Sequence, residues 1–161
     1  MSAASDMSGN ASRVAVRRFT MLDIPAVSTI LSESPDAAAW SPDSLRQSAS
    51  EGFHAWVAEQ APGVAGFLIG RIAGDEFEIL NLAVARAFRR RGIASELLES
   101  ALAFSRNAGS RRAYLEVRAS NEAAVGLYTR HGFTKCGRRG RYYRNPTEDA
   151  LLFCRHLGGT P

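Results

Sequence analysis

The segment from Phe77 to Val117 constrains this chain more than any other. Phe77-Glu-Ile-Leu-Asn-Leu-Ala-Val84 reads as a strand with apolar groups on both faces near its end, as a central strand would have. Ala85 to Arg91 is a basic loop. Gly92 to Asn107 is amphipathic, with Ile93, Leu97, Leu98, Ala101, Leu102 and Phe104 at helical spacing and Gly109 as a stop. Ala113 to Val117 is a second short strand. A strand, a helix and a strand in this order form a crossover, so the two strands are expected to be parallel neighbours in one sheet.

The flanking sequence adds the remaining elements. Val14 to Phe19 is a short strand. Thr20-Met-Leu-Asp23 has the form of a helix start, and Ile24, Val27, Ile30 and Leu31 follow at helical spacing until Ser34-Pro35. Ser41-Pro42 opens another short helix, through about Ala49. His54 to Glu59, Val64 to Ile72 and the strand ending at Val84 form a meander. Asn121 caps a helix to about Arg130, stopped by Gly132. Phe133 to Gly137 and Asp149 to Leu157 close the sheet, with an Arg- and Tyr-rich loop from Arg138 to Glu148 between them. The fold expected is α/β, a mixed but mostly antiparallel sheet with helices on both faces. One domain spans residues 13–157, with a disordered tail over 1–12 and a frayed end over 158–161.

Three stretches carry chemistry. In Arg89-Arg90-Arg91-Gly92-Ile93-Ala94-Ser95, a loop opens a helix, so free N–H groups meet the positive end of a helix dipole. Gly92 and Ala94 keep the approach small enough for a phosphate. The pattern is neither a Walker A loop nor GxGxxG; the plain alternative is a solvated basic turn. In Tyr114-Leu-Glu-Val-Arg118, Leu115 and Val117 face one way and Glu116 the other. A carboxylate in the middle of a covered sheet is costly unless paired or used, so Glu116 is either a general base or an ion-pair partner of Arg118 or a neighbouring arginine. Tyr128 lies two helical turns beyond Asn121 and so on roughly the same face. It is either packing or a proton donor, while Asn121 is at least an N-cap. His131 reads as a charge partner at a helix end. His54 and His156 have no companions, so neither a triad nor a metal site is expected.

The 161 residues are 45% hydrophobic and 22% charged, which suits one globular domain and argues against wholesale disorder. No apolar run approaches the roughly 18 residues of a membrane span, and the N-terminus lacks the form of a secretory signal. The expected compartment is the cytoplasm. Cys136 and Cys154 are expected to be reduced and structural. Residues 86–144 hold fourteen of the twenty basic residues against four acids, a net +10, and the remainder is −6. Such a basic half suits a polyanionic partner: nucleic acid, a phosphate-bearing cofactor or a ribosome-associated substrate.

The residues resemble a known family. Arg89-x-x-Gly92-x-Ala94, after a strand ending Asn81-Leu-Ala-Val84, is similar to the pyrophosphate motif of the GNAT superfamily of N-acetyltransferases. Leu115-Glu-Val-Arg-Ala-Ser-Asn121 with Ala124, Leu127-Tyr128 and Gly132-Phe133 resembles its RimI branch, which acetylates the N-terminal alanine of a small-subunit ribosomal protein. Trp40-Ser41, Tyr142-Tyr143, Pro146 and Glu148-Asp149-Ala150 agree. The resemblance implies acetyl-CoA as co-substrate and no metal. Leu82, Ala83 and Val84 would meet its pantetheine arm, and Arg89, Arg90, Arg91, Gly92, Ile93, Ala94 and Ser95 its pyrophosphate. Asn121 would lie near the thioester, with Glu116 as general base and Tyr128 as general acid. Tyr142 and Tyr143, on a mobile loop, and Glu148 would meet a peptide N-terminus. The acceptor expected is a protein α-amine; a lysine side chain or small amine is the alternative within the family. A non-enzymatic CoA sensor and an RNA-binding module are weaker readings, and no specific nucleic-acid motif is present.

Overall fold

The computed structural model describes residues 13–50 and 52–158. The tail expected over 1–12, and all but Gly158 of the expected frayed end, lie outside the described residues. The elements are β1 (Ala15–Arg18), α1 (Ile24–Ser32), α2 (Pro42–Gln47), β2 (Phe53–Gln60), β3 (Gly63–Ala73), β4 (Glu76–Val84), α3 (Ile93–Asn107), β5 (Arg112–Arg118), α4 (Glu122–Arg130), β6 (Thr134–Tyr143) and β7 (Glu148–His156). This is the expected order. Single 3-10 turns, Met21–Asp23 and Arg86–Phe88, precede α1 and α3.

Local chemistry explains the starts and stops. The Thr20 N–H donates to Asp23 Oδ2 at 2.7 Å, and Ser41 Oγ accepts from the Ser44 N–H at 3.1 Å. Gly109 and Gly132, both at positive φ, follow the ends of α3 and α4. Asp23 is also gripped by both terminal nitrogens of Arg17, at 2.7 and 2.8 Å, which ties the start of α1 to β1. Arg17, ahead of Thr20, holds Asp23 well below the usual carboxylate range.

The seven strands form one sheet in the order β1-β2-β3-β4-β5-β7-β6. Every neighbouring pair is antiparallel except β4 and β5, which are parallel as the crossover requires. Ile24, Val27 and Ile30 of α1 and Leu45 of α2 pack with Val57, Phe67 and Ile69 on one face. Ile93, Leu97, Leu98 and Leu102 of α3 and Tyr128 of α4 pack with Trp56, Leu68, Phe77 and Leu115 on the other. Gly66 lets α3 sit close, since a Cβ there would be 3.0 Å from the Ala83 carbonyl and 3.2 Å from Ile93 and Leu97.

One irregularity shapes the molecule. Ile69 pairs with Asn81, but Gly70 pairs with Ile79, so Leu80 is an extra residue in β4. The bulge inverts the alternation. Phe77 and Ile79 face α3 before it; Leu82 and Val84 face α3 after it, and Ala83 faces α1. Pairing with β5 ends at the same place, with Ile79 opposite Leu115. Beyond it β4 and β5 separate, and a gap opens in the middle of the sheet.

Two expectations are corrected. Arg138 to Tyr143 is not a loop but the continuation of β6, and only residues 144–147 turn between β6 and β7. As an outer strand it needs no apolar alternation, so the pattern that reveals other strands is missing. Cys136 and Cys154 are not free thiols. Thr134 lies opposite Cys154, Cys136 follows at a bulge, and the two cysteines form a disulfide with Cα atoms 5.9 Å apart.

Candidate active site

The gap between β4 and β5 opens into a cleft of about 570 Å³. Its walls include residues 35–40, Glu78 to Leu82 of β4, Leu115 to Arg118 of β5, Asn121, Tyr128 and the Tyr142–Arg144 end of the hairpin. Glu116, Tyr128 and Asn121 are thus brought together with Leu82, Tyr142 and Tyr143.

Glu116 and Tyr128 reach this cleft from opposite sides of the sheet. Along β5, Ala113, Leu115 and Val117 are buried toward α3 and α4, so Glu116 emerges on the α1 and α2 face. Its Oε1 forms an ion pair with Arg139 Nε at 2.7 Å, and the Tyr142 phenol stands close enough to feel its charge. Both partners come from β6. An ion pair of Glu116 therefore exists, but with Arg139 and not with Arg118, which faces Glu148 instead. Tyr128 is 6% exposed and packs edge-on against Phe133 at 5.6 Å. Burial pushes its phenol up and keeps its proton on.

The hairpin tyrosines are held rather than loose. Tyr142 is half exposed and meets Tyr143 edge-on at 5.0 Å. The Glu116 carboxylate, then burial, raises the Tyr142 phenol. Arg118 stacks over Tyr143 at 4.4 Å. Burial, then the Glu116 charge, pushes the Tyr143 phenol up to about 12. Glu148 is committed internally: it accepts from the Ser120 N–H and faces Arg118 at 3.5 Å. The hydrogen bonds from Ser120 hold its carboxyl below the usual range. Asp149 is likewise engaged by the Arg141 N–H at 2.8 Å and Arg138 Nε at 2.6 Å.

The start of α3 fits an anion. Gly92 is the N-cap at φ +77°, with no side-chain cap and nothing within 4 Å of where a Cβ would stand. The first N–H groups of a helix, here those of Ile93, Ala94 and Ser95, have no partner within it. Arg90 and Arg91 have no carboxylate partner among the described residues; Arg91 lies over Phe88 at 5.3 Å. The Ser95 hydroxyl and His131 Nε2 share a 3.0 Å hydrogen bond, joining the start of α3 to the end of α4. Asn121 Oδ1 caps α4 through the Ala124 N–H at 3.2 Å. Its amide nitrogen has no partner among the described residues. Leu82, Ala83 and Val84 lie past the bulge, where alternate backbone groups of β4 have lost β5 as a partner. A pantetheine arm, itself an amide chain, is suited to take that place. Arg89 stands apart from Arg90 and Arg91: its guanidinium is bonded to Val84, Glu33 and Ser34. Among the described residues no cluster of three or more His, Cys, Asp or Glu could hold a metal, and no helix is long and apolar enough to cross a membrane.

Known proteins share this architecture. Residues 21–133 match the acetyltransferase (GNAT) family. The ribosomal protein bS18-alanine N-acetyltransferase of Escherichia coli strain K12 is 33% identical over 134 residues, 81% of this chain and 88% of that protein. The N-alpha-acetyltransferase RimI of Mycobacterium tuberculosis is 40% identical over 97 residues, 60% of each. The crystal structure of the Escherichia coli ribosomal-protein-S18-alanine N-acetyltransferase superposes with a TM-score of 0.81 at 27% identity, covering 92% of this chain and 97% of that one. Ard1 from Thermoplasma volcanium superposes at 0.82, also at 27% identity, covering 91% and 99%. The chain belongs to the acetyltransferase (GNAT) family and is an acetyl-CoA-dependent N-acetyltransferase.

Proposed function

We propose that this enzyme transfers the acetyl group of acetyl-CoA to the α-amine of a protein N-terminus, an alanine on a ribosomal protein of the bS18 kind. The observation that carries the reading is the placement of Glu116 and Tyr128 on opposite faces of a split sheet, both at the same cleft. An acceptor entering from the α1 and α2 face meets the carboxylate. A thioester threaded from the α3 end meets the phenol.

The chemistry follows from that arrangement. An α-amine has a pKa of about 7.7–8.0 and is largely protonated at neutral pH. Glu116 takes its proton, through a water molecule. The amine nitrogen bonds to the thioester carbonyl carbon, and an unpaired backbone N–H near Val84 steadies the oxyanion. The C–S bond breaks as the buried, protonated Tyr128 phenol gives its proton to the departing sulfur. Arg90, Arg91 and the N–H groups of residues 92–95 hold the pyrophosphate, Asn121 sits by the thioester, and Tyr142 and Tyr143 flank the entering peptide. Glu148 supports that wall through Ser120 and Arg118.

Three peptides test the acceptor: one beginning with Ala, the same peptide with its α-amine blocked and an internal Lys free, and one beginning with Trp. Mass spectrometry locates the acetyl group. The Ala-first α-amine is expected to be modified fastest. Preferential modification of the blocked peptide at Lys overturns the N-terminal reading.

A further inference from the structure

We propose that Arg89 is a positioning residue that latches the acceptor wall of the cleft to the cofactor loop, and is not a ligand of the pyrophosphate. Its Nε donates to the Val84 carbonyl at 3.1 Å. Its Nη2 donates to the Glu33 carbonyl at 3.2 Å and the Ser34 hydroxyl at 3.3 Å. One guanidinium thus joins the end of β4, where the sheet splits, to the end of α1. A neighbouring bond runs the same way: the Arg86 N–H donates to Glu33 Oε2 at 3.0 Å.

The location gives these bonds their meaning. Residues 35–40 follow directly and form the cleft wall opposite β5. Asn81, 5% exposed, holds that wall at mid-length by donating from Nδ2 to the Ala38 carbonyl at 2.9 Å. The wall therefore hangs from Arg89 at its root and Asn81 at its middle, both belonging to β4 and the loop after it. Fixing residues 85–91 against a phosphate also fixes the wall that meets the acceptor. An arginine suits the task. Its rigid fork carries donors on separate nitrogens, Nε toward β4 and Nη2 toward α1, where an ammonium has only one nitrogen, and its charge is favourable at the carbonyl end of α1.

The test compares Arg89→Ala, Arg89→Lys and Arg91→Ala in the full chain. Calorimetry measures acetyl-CoA binding, hydrogen exchange reports residues 33–40, and kinetics use the Ala-first peptide. Arg89→Ala should keep acetyl-CoA affinity within about 3-fold and raise the peptide KM by about 10-fold. Exchange over 33–40 should quicken, and Arg89→Lys should recover part of each loss. Arg91→Ala should weaken acetyl-CoA and leave exchange unchanged. The latch is overturned if Arg89→Ala weakens acetyl-CoA as much as Arg91→Ala does, or if exchange over 33–40 does not change. The kinetic arm rests on the acceptor proposed above. If the wild type does not acetylate the peptide, that reading fails by itself, and exchange and calorimetry still decide the latch.

Discussion

The two sides of the cleft are built by different means. The side proposed for the cofactor is made of backbone and of residues adjacent in sequence: the start of α3, Gly92, Arg90 and Arg91. The side proposed for the acceptor is made of side chains brought together from far along the chain. Asn81 and Ala38 are 43 residues apart, and Arg118 and Glu148 are 30 apart. A backbone site is insensitive to most side-chain changes and fails when a side chain fills it or repels the ligand. A side-chain site fails piece by piece, as single partners are removed.

Gly92→Glu breaks the cofactor side and should have the largest effect. A carboxylate about 4 Å from a phosphate costs roughly 1–4 kcal/mol per charge, so acetyl-CoA affinity should fall by about 100-fold or more. Gly92→Ala is the control for the strain of a positive φ, worth about 1–2 kcal/mol of stability, and should bind far better than the glutamate variant. Calorimetry beside thermal unfolding separates charge from strain. Equal losses in the two variants would mean that the loop does not meet an anion.

Asp23→Asn loosens the acceptor side from below, where Arg17 and Thr20 tie α1 to the sheet, and should have a smaller effect. Asp23 is 4% exposed, but its partner Arg17 reaches solvent, so the loss is put at about 1–3 kcal/mol. The Asp23 carboxyl is depressed in the folded state. Its contribution is therefore complete above the unfolded pKa of about 3.9 and is lost as pH falls through the lower folded value. Melting curves from neutral to strongly acidic pH should show wild-type stability falling in acid and a shallower fall for the variant. Parallel curves would remove Asp23 from the account. Acetyl-CoA binding at neutral pH should be nearly unchanged.

The same contrast explains what was legible in the sequence. Element order followed from periodicity and caps: Ser41 before Pro42, Asn121 before α4, Gly109 and Gly132 after α3 and α4. The stretch proposed to hold the anion could be singled out because its parts are consecutive. The bulge at Leu80 was not, since a one-residue register slip changes no composition. The Thr134–Tyr143 strand was seen only to Gly137, because its Gly- and Arg-rich end carries no alternation. The Arg139–Glu116 pair and the Cys136–Cys154 disulfide needed the β5-β7-β6 order, which no local pattern reveals. The bonds of Arg89 to Val84, Glu33 and Ser34 were not legible either, because adjacent arginines look alike until their partners are known.

The central claim is that Glu116 takes the proton of the acceptor amine, and Glu116→Gln tests it most directly. The substitution keeps shape and hydrogen bonding and removes proton acceptance. Turnover of the Ala-first peptide at neutral pH should fall by about 10²–10⁴-fold, with acetyl-CoA affinity retained. The deficit should shrink toward about pH 9.5, where an α-amine of pKa about 7.7–8.0 arrives deprotonated. Wild-type turnover of the variant at neutral pH would contradict the account and leave Glu116 as an ion-pair partner of Arg139.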